Sequence, residues 1–368
     1  MNILYEVMLL VIVGFTGVLL GITPMLLKHS EVFAVTVPPV EFHSPELKSM
    51  RLRYCALTLA ATAVALIVTA ICLAISENAF FIAYTASTLA LVVVSFALYL
   101  FFRSRVRALK EERGWAAQPG ATVSAVITPA SVKKPPSIWW NLLYVVIVAV
   151  TLVIGIVYYP HMPAMVPMNT DLAGKVIRYA PKSFGVLLFA PMIQVFFGVI
   201  MTFVFWMIGR ARRDIDPAHP LTTAEHSALF TRVQSIFMLV FGLALAGSMI
   251  AMQFSMAGKL SINVAGLIII VVTVVLMAAL VWISLKYGQS GARLGHPAQD
   301  SDEVARDDDR YWKLGVLYFN PDDPALFVPK RFGVGWTNNF ARPMTWVLAG
   351  GLVVLCVGLV WATRLLGQ

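Results

Sequence analysis

Along this chain, apolar runs of membrane-crossing length alternate with short polar intervals, and that alternation carries most of what the sequence says. A hydrocarbon core of roughly 30 Å needs about 20 predominantly apolar helical residues. Eight segments meet that need: 4–27, 52–75, 79–102, 138–159, 183–208, 233–256, 260–286 and 343–363. Between the second and third, only Ser76-Glu77-Asn78 marks a turn. The intervals divide the chain into an N-terminal three-helix part (1–137), a two-helix unit around a Pro-rich loop (138–210), central helices (211–287), a linker with a β-hairpin module (288–342) and a last helix (343–368). The predicted class is an all-α polytopic membrane protein of about eight transmembrane helices, with a small β-hairpin module before the last.

Composition agrees with the pattern. Hydrophobic residues make up 59% and charged residues 13%, and the mean hydropathy is +0.80. The formal charge of +9 falls in short runs between apolar spans. That is the distribution of positive-inside loops and not of a nucleic-acid surface. Loops one, three, five and seven hold 23 of the 28 Lys and Arg residues, against 5 on the other side. Both termini are therefore expected outside and the hairpin module in the cytoplasm. The N-terminus carries Glu6 in place of a positive leader and has no Ala-x-Ala site, so the first apolar segment reads as a retained helix. Cys55, Cys72 and Cys356 fall within predicted spans without CxxC spacing, and read as packing residues.

One long polar stretch after residue 140 has the composition of folded aqueous protein: Tyr311–Pro343. Leu314–Phe319 reads as a strand, Asn320-Pro321-Asp322-Asp323 as a type I turn, and Ala325–Val328 as the returning strand. Lys330, Arg331, Gly333, Gly335, Trp336, Asn339 and Arg342 follow, just ahead of the last span. Two readings stand for this set. In one, Trp336 and Arg342 anchor the final helix at the headgroup level. In the other, the stretch is an output surface, with Lys330 and Arg331 exposed to a cytoplasmic regulator or to anionic lipid.

The run NPDDPALFVPKRFGVGWTNNFARP resembles a C-terminal module of bacterial membrane proteins related to the immunity protein for the sporulation-delaying protein toxin. Gly333, Val334, Trp336, Thr337 and Asn339 keep that family's pattern, whereas Gly335 stands in its Arg region and its Pro is lacking. In the first loop the family carries a Phe-Gly-Val-Arg-Val-Pro-like run, where this chain has Ala34 and Thr36 in place of Gly and Arg. That loop reads as a strand over Phe33–Val37, a Pro38-Pro39 stop and a helix start at Ser44-Pro45-Glu46. VFAVTVP also echoes RFGVGWT, which suggests that the two segments lie side by side. The third loop combines a basic helix end, Arg103–Arg113, with a linker, Ala116–Ser137, expected to be mobile. In the seventh, the acidic block Asp300–Asp309 reads as a solvated tether.

The one long loop on the opposite side runs from Tyr158 to Gly185, and Pro160, Pro163, Pro167 and Pro181 predict a stiff, extended cap. Asp171, Lys175, Arg178 and Lys182 cluster there, which makes the loop the candidate recognition element if this is a receptor. The segment also resembles a second piece of the same family, a domain of unknown function. Met162-Pro163, Val166-Pro167, Gly174, Lys182-Ser183 and Pro191 match its pattern, but Asn169 replaces its His and Asp171 its Asn. His161 is the candidate substitute for the missing His.

Enzyme chemistry finds little footing. No ionisable side chain sits at the centre of a predicted span, where it would cost upwards of about 2.5 kcal/mol. The polar residues there are Asn141, Gln194, Gln253, Asn263 and hydroxyls, which read as helix-to-helix hydrogen bonds. HExxH and GxSxG are absent, and Pro220 intervenes between His219 and the Glu225-His226 pair. These features predict no catalytic residues, no metal and no cofactor. The resemblance implies a non-enzymatic immunity or receptor-like protein of the bacterial inner membrane. Its partners would be membrane lipids, a peptide toxin or small ligand outside, and a cytoplasmic regulator. A small-molecule or lipid transporter is the alternative.

Overall fold

A computed structural model describes residues 3–116, 134–170, 175–213, 215, 220–294, 304 and 307–366. Eight α-helices follow one another: α1 (Ile3–Ile22), α2 (Pro45–Ile75), α3 (Glu77–Glu112), α4 (Leu143–Tyr158), α5 (Phe184–Arg210), α6 (Pro220–Met256), α7 (Ile262–Tyr287) and α8 (Pro343–Leu366). Among the described residues, seven helices are long and apolar enough to cross a membrane, and a shorter apolar helix covers Leu9–Met25. The chain is therefore a multi-pass membrane protein by helix length and hydropathy.

Several helices outrun their apolar cores, because hydropathy marks what lipid covers and not where hydrogen bonding stops. α2 starts at Pro45, where proline at the first turn sacrifices no hydrogen bond. α3 continues to Glu112 through its basic end. The break between α2 and α3 is one residue, Ser76, whose hydroxyl caps α3 by accepting from Ala79 N at 3.1 Å.

α1, α2 and α3 pack together, α4, α5 and α6 form a second group, and α7 and α8 lean on α6 and α5 respectively. The ends of α1, α3, α5 and α7 gather at one face with the starts of α2, α6 and α8. We call this the module face, because three two-stranded antiparallel hairpins cover it. They are β1 (Glu31–Val32) with β2 (Val35–Thr36), β5 (Trp312–Lys313) with β6 (Leu317–Tyr318), and β7 (Phe327–Pro329) with β8 (Trp336–Asn338). A fourth hairpin, β3 (Met165–Thr170) with β4 (Val176–Pro181), lies at the opposite face.

Two sequence expectations change here. The module holds two hairpins, where one was expected. Trp312 pairs with Tyr318 and Lys313 with Leu317, so Leu314–Phe319 bends back on its own N-terminal side. The Asn320–Asp323 turn forms, with Asp322 N donating to Asn320 Oδ1 at 2.9 Å, but it links the hairpins instead of closing one. The loop of Tyr158–Gly185 is extended as expected, but its two strands pair as a hairpin. Pro167 and Pro181 sit in the paired ladder, opposite Tyr179 and Met165, and Pro160 lies in a 3₁₀ turn before it. Val166 and Ala180 face inward onto Met162, Val186 and Met256. The linker at 117–133, Asp171 and His219 lie outside the described residues.

Candidate functional site

The module face is built around a charge cluster. Arg331, only 3% exposed, reaches Glu31 at 3.7 Å and makes short ion pairs with Asp308 and Asp309. Lys110, from the end of α3, bonds Asp307 at 2.8 Å and Asp309 at 2.7 Å. The Thr36 hydroxyl accepts from Lys110 at 2.8 Å and donates to Asp309 at 2.8 Å. Lys28 lies in the same field: burial pushes its ammonium below its usual value, with Glu31 and Asp308 opposing the fall and Arg331 and Arg212 adding to it. Burial alone would raise the Asp309 carboxyl, but Arg331 and Lys110 hold it below its ordinary range. Burial would likewise depress the Arg331 guanidinium, and Glu31, Asp308 and Asp309 outweigh it and hold it above its usual value.

Three parts of the chain meet in this cluster: the first loop, the end of α3 and the stretch before α8. Arg331 was expected at the surface with Lys330. Lys330 is exposed, whereas Arg331 is an internal tie. The acidic block, expected as a solvated tether, ends in Asp307–Asp309 as the counter-charges of Arg331 and Lys110. The echoing segments do adjoin. Phe332 packs with Phe33 and Tyr99 in one core, and Arg331 Nη1 donates to Ala34 O at 3.3 Å.

The β1–β2 turn is made by Phe33 and Ala34 at φ 47° and 58°, a region that L side chains avoid. Arg103 Nη1 donates to both carbonyls, at 3.2 and 2.5 Å. The Phe33 ring, fully buried, stacks on Phe102 at 5.4 Å. Those contacts hold the turn where glycine would ordinarily be used.

A second knot surrounds the other candidates. Asp323 accepts from the Tyr318 hydroxyl at 2.9 Å and pairs closely with Arg212, just past α5. Asn339, fully buried, donates to Asn320 O at 2.8 Å and to Asp323 O at 3.1 Å, and accepts from Asn320 N at 3.1 Å. Arg342 donates to Asp323 O at 2.8 Å. Its Nε is thus tied to the module, while the residue stays partly exposed. Trp336 leans on Phe230 of α6 at 5.6 Å. Gly333 and Gly335, at φ 92° and 111°, shape the β7–β8 loop with conformations open to glycine. That loop is clasped by Gln289, which accepts from Gly335 N at 2.7 Å and donates to Gly335 O at 2.7 Å.

At the opposite face the candidates do not converge on one point. Lys182 donates to Pro160 O at 3.1 Å and lies 4.9 Å from the Tyr159 ring, so it ties the hairpin base. Arg178, Lys175 and His161 are exposed. Asn169 stands opposite Arg178 across a bulged register. The outward face of the hairpin shows Met165, Ile177 and Tyr179, each more than half exposed.

Sequence reasoning missed Lys110, Arg212, Gln289 and Asp307–Asp309 as partners. Charge complementarity between the acidic block and the basic helix end was the available signal, but Lys110 and Asp309 are 199 residues apart. Among the described residues, no group of three or more His, Cys, Asp or Glu is placed to hold a metal ion.

Both faces coincide with segments found in other proteins. Residues 146–195, from α4 through the β3–β4 hairpin into α5, match a domain of unknown function (DUF1648). Residues 321–346, from the Asn320–Asp323 turn into α8, match a family of unknown function (DUF5808). No curated protein and no solved structure matches the chain.

Proposed function

We propose that this chain is a non-enzymatic receptor of the immunity type in a bacterial inner membrane. The β3–β4 hairpin senses a peptide, a small ligand or a lipid perturbation outside the cell, and the module engages a cytoplasmic regulator. The observation that carries this reading is the continuity of α5. Its start is capped beside the hairpin, where Ser183 Oγ accepts from Val186 N at 3.3 Å. Just past its end, Arg212 N donates to Phe327 O at 2.9 Å, and the Arg212 guanidinium holds Asp323. One helix thus joins an exposed hairpin to a stitched module. A displacement at one end has a covalent route to the other.

The hairpin suits recognition, because its outward apolar face is bordered by the exposed Lys175 and Arg178. Lys330 is the exposed cation on the β7–β8 loop, and it replaces the Lys330-Arg331 pair as the contact for a regulator. The reading is tested by expressing the chain in sensitive bacteria and challenging them with membrane-active peptides. Survival should rise with the parent chain, and should fall with Arg178→Ala or Lys330→Ala at equal membrane abundance. Survival no better than that of cells without the chain, across the peptides tried, would sink the proposal.

A further inference from the structure

Inside the α4–α5–α6 group, polar groups stack in adjacent layers without a charge among them. In the middle layer, Gln194 on α5 is fully buried. Its Nε2 donates to Thr151 Oγ1 of α4 at 2.8 Å and to Ala246 O of α6 at 2.9 Å, while its Oε1 has no protein partner. In the layer nearer the β3–β4 hairpin, Gln253 of α6 is also fully buried. Neither its Oε1 nor its Nε2 has a protein partner. Its amide lies against bare backbone, since a Cβ on Gly155 would stand 2.5 Å from Nε2 and 3.1 Å from the Leu187 side chain.

A third group belongs to that layer for a backbone reason. Pro191 lies inside α5 and has no N–H, so it cannot donate to the carbonyl four residues earlier, at Leu187. The sequence thus leaves the Leu187 carbonyl without its usual donor, on a residue whose side chain packs by Gly155. Thr151 and Gly155 are one helical turn apart, about 6 Å along α4. The two layers are thus neighbours along the helix group.

We propose that Gln194, Gln253 and the Leu187 carbonyl form an intramembrane site for a neutral ligand of water's size, and that its occupant is water. The groups offer Gln194 Oε1, Gln253 Oε1 and Leu187 O as acceptors, and Gln253 Nε2 as donor. One water supplies two donors and accepts up to two, enough for Gln253 Nε2 and two of the three acceptors at a time. A cation would meet oxygens but no counter-charge, since the stretches 143–158, 184–209 and 233–256 carry no Asp, Glu, Lys or Arg. Thr151, Gly155, Leu187, Pro191 and Gln194 all lie in the segment matched by the domain of unknown function, 146–195. Gln253 lies outside that segment, and the site goes beyond the receptor reading, which does not depend on it.

The test uses the full chain in lipid nanodiscs. In a background with Cys55, Cys72 and Cys356 replaced by Ala, Gln253→Cys is treated with a small methanethiosulfonate. Leu276→Cys on α7, buried at 8% exposure, serves as control. Thiolate is the reacting form and apolar burial suppresses it, at about tenfold per pKa unit, so Cys at 253 should react at least about tenfold faster. Equal rates would overturn the site. In case the substitution disturbs folding, the parent protein carrying ¹⁵N-labelled Gln is read by water-edited solid-state NMR. The Gln253 side-chain amide, assigned by its loss in Gln253→Leu, should gain signal from water as fast as an exposed amide. Build-up no faster than that of lipid-buried backbone amides would also overturn it. A shift of that resonance on exchanging Na⁺ for K⁺ would replace the neutral ligand with a cation.

Discussion

Replacing Arg331 with Ala tests the claim that the module is held from within by charge. The guanidinium is 3% exposed and serves Glu31, Asp308 and Asp309 together with the Ala34 carbonyl. Removing one partner of a buried ion pair costs about 3–5 kcal/mol, because the remaining charge stays desolvated. Asp309 keeps Lys110 at 2.7 Å, and Lys28 stays near Glu31 and Asp308, so the loss falls in the lower half of that range. At about 1.4 kcal/mol per tenfold, local opening of the module should increase by roughly a hundred- to a thousandfold. Limited proteolysis in inside-out vesicles reads this directly, with Lys330→Ala as the exposed neighbour expected to stay within about 0.5 kcal/mol of the parent.

The same cluster makes a pH prediction. The folded-state pKa of Asp309 is depressed, so its contribution is complete above the unfolded value of about 3.9 and is lost as pH falls through the lower folded value. The parent module should therefore resist proteolysis unchanged from neutral pH down to about 4 and loosen only below that. Arg331 is the largest cause of the depression, so in Arg331→Ala the folded and unfolded values converge and the acid-dependent loss from Asp309 should shrink. Cleavage of Arg331→Ala at the rate of Lys330→Ala, with the same acid profile as the parent, would refute the reasoning.

Three further outcomes follow from single contacts. Ala34→Gly relieves a left-handed backbone at φ 58° and should stabilise the module by about 0.5–1 kcal/mol, seen as slower proteolysis; a faster rate would show that the turn is unstrained. Gln289→Ala removes the clasp on Gly335 and should cost about 2–3 kcal/mol in the same assay, with membrane abundance maintained. For orientation, a single Cys at Asn169 should react with an impermeant reagent in intact cells and one at Asp322 should not. The reverse pattern would invert the assignment of the two faces.

The apolar runs decided the helices from sequence alone, since lipid-length hydrophobicity has few other uses and needs no partner to be recognised. The Asn320-Pro321-Asp322-Asp323 turn was legible for the same reason: its chemistry is local. What Arg331 does was not. Lys330 and Arg331 look alike in the chain, and one is exposed while the other is buried, because their fates depend on Glu31 and Asp308, which approach from two different loops. Gln289 carries no motif at all, and its role exists only where the end of α7 meets the β7–β8 loop. Gln253 was readable as a polar residue in a span. That its amide faces Gly155 and lacks a protein partner follows only from how α4, α5 and α6 pack. Local chemistry sets elements and turns, whereas the worth of a charge or an amide depends on its neighbours, and the neighbours are chosen by the fold.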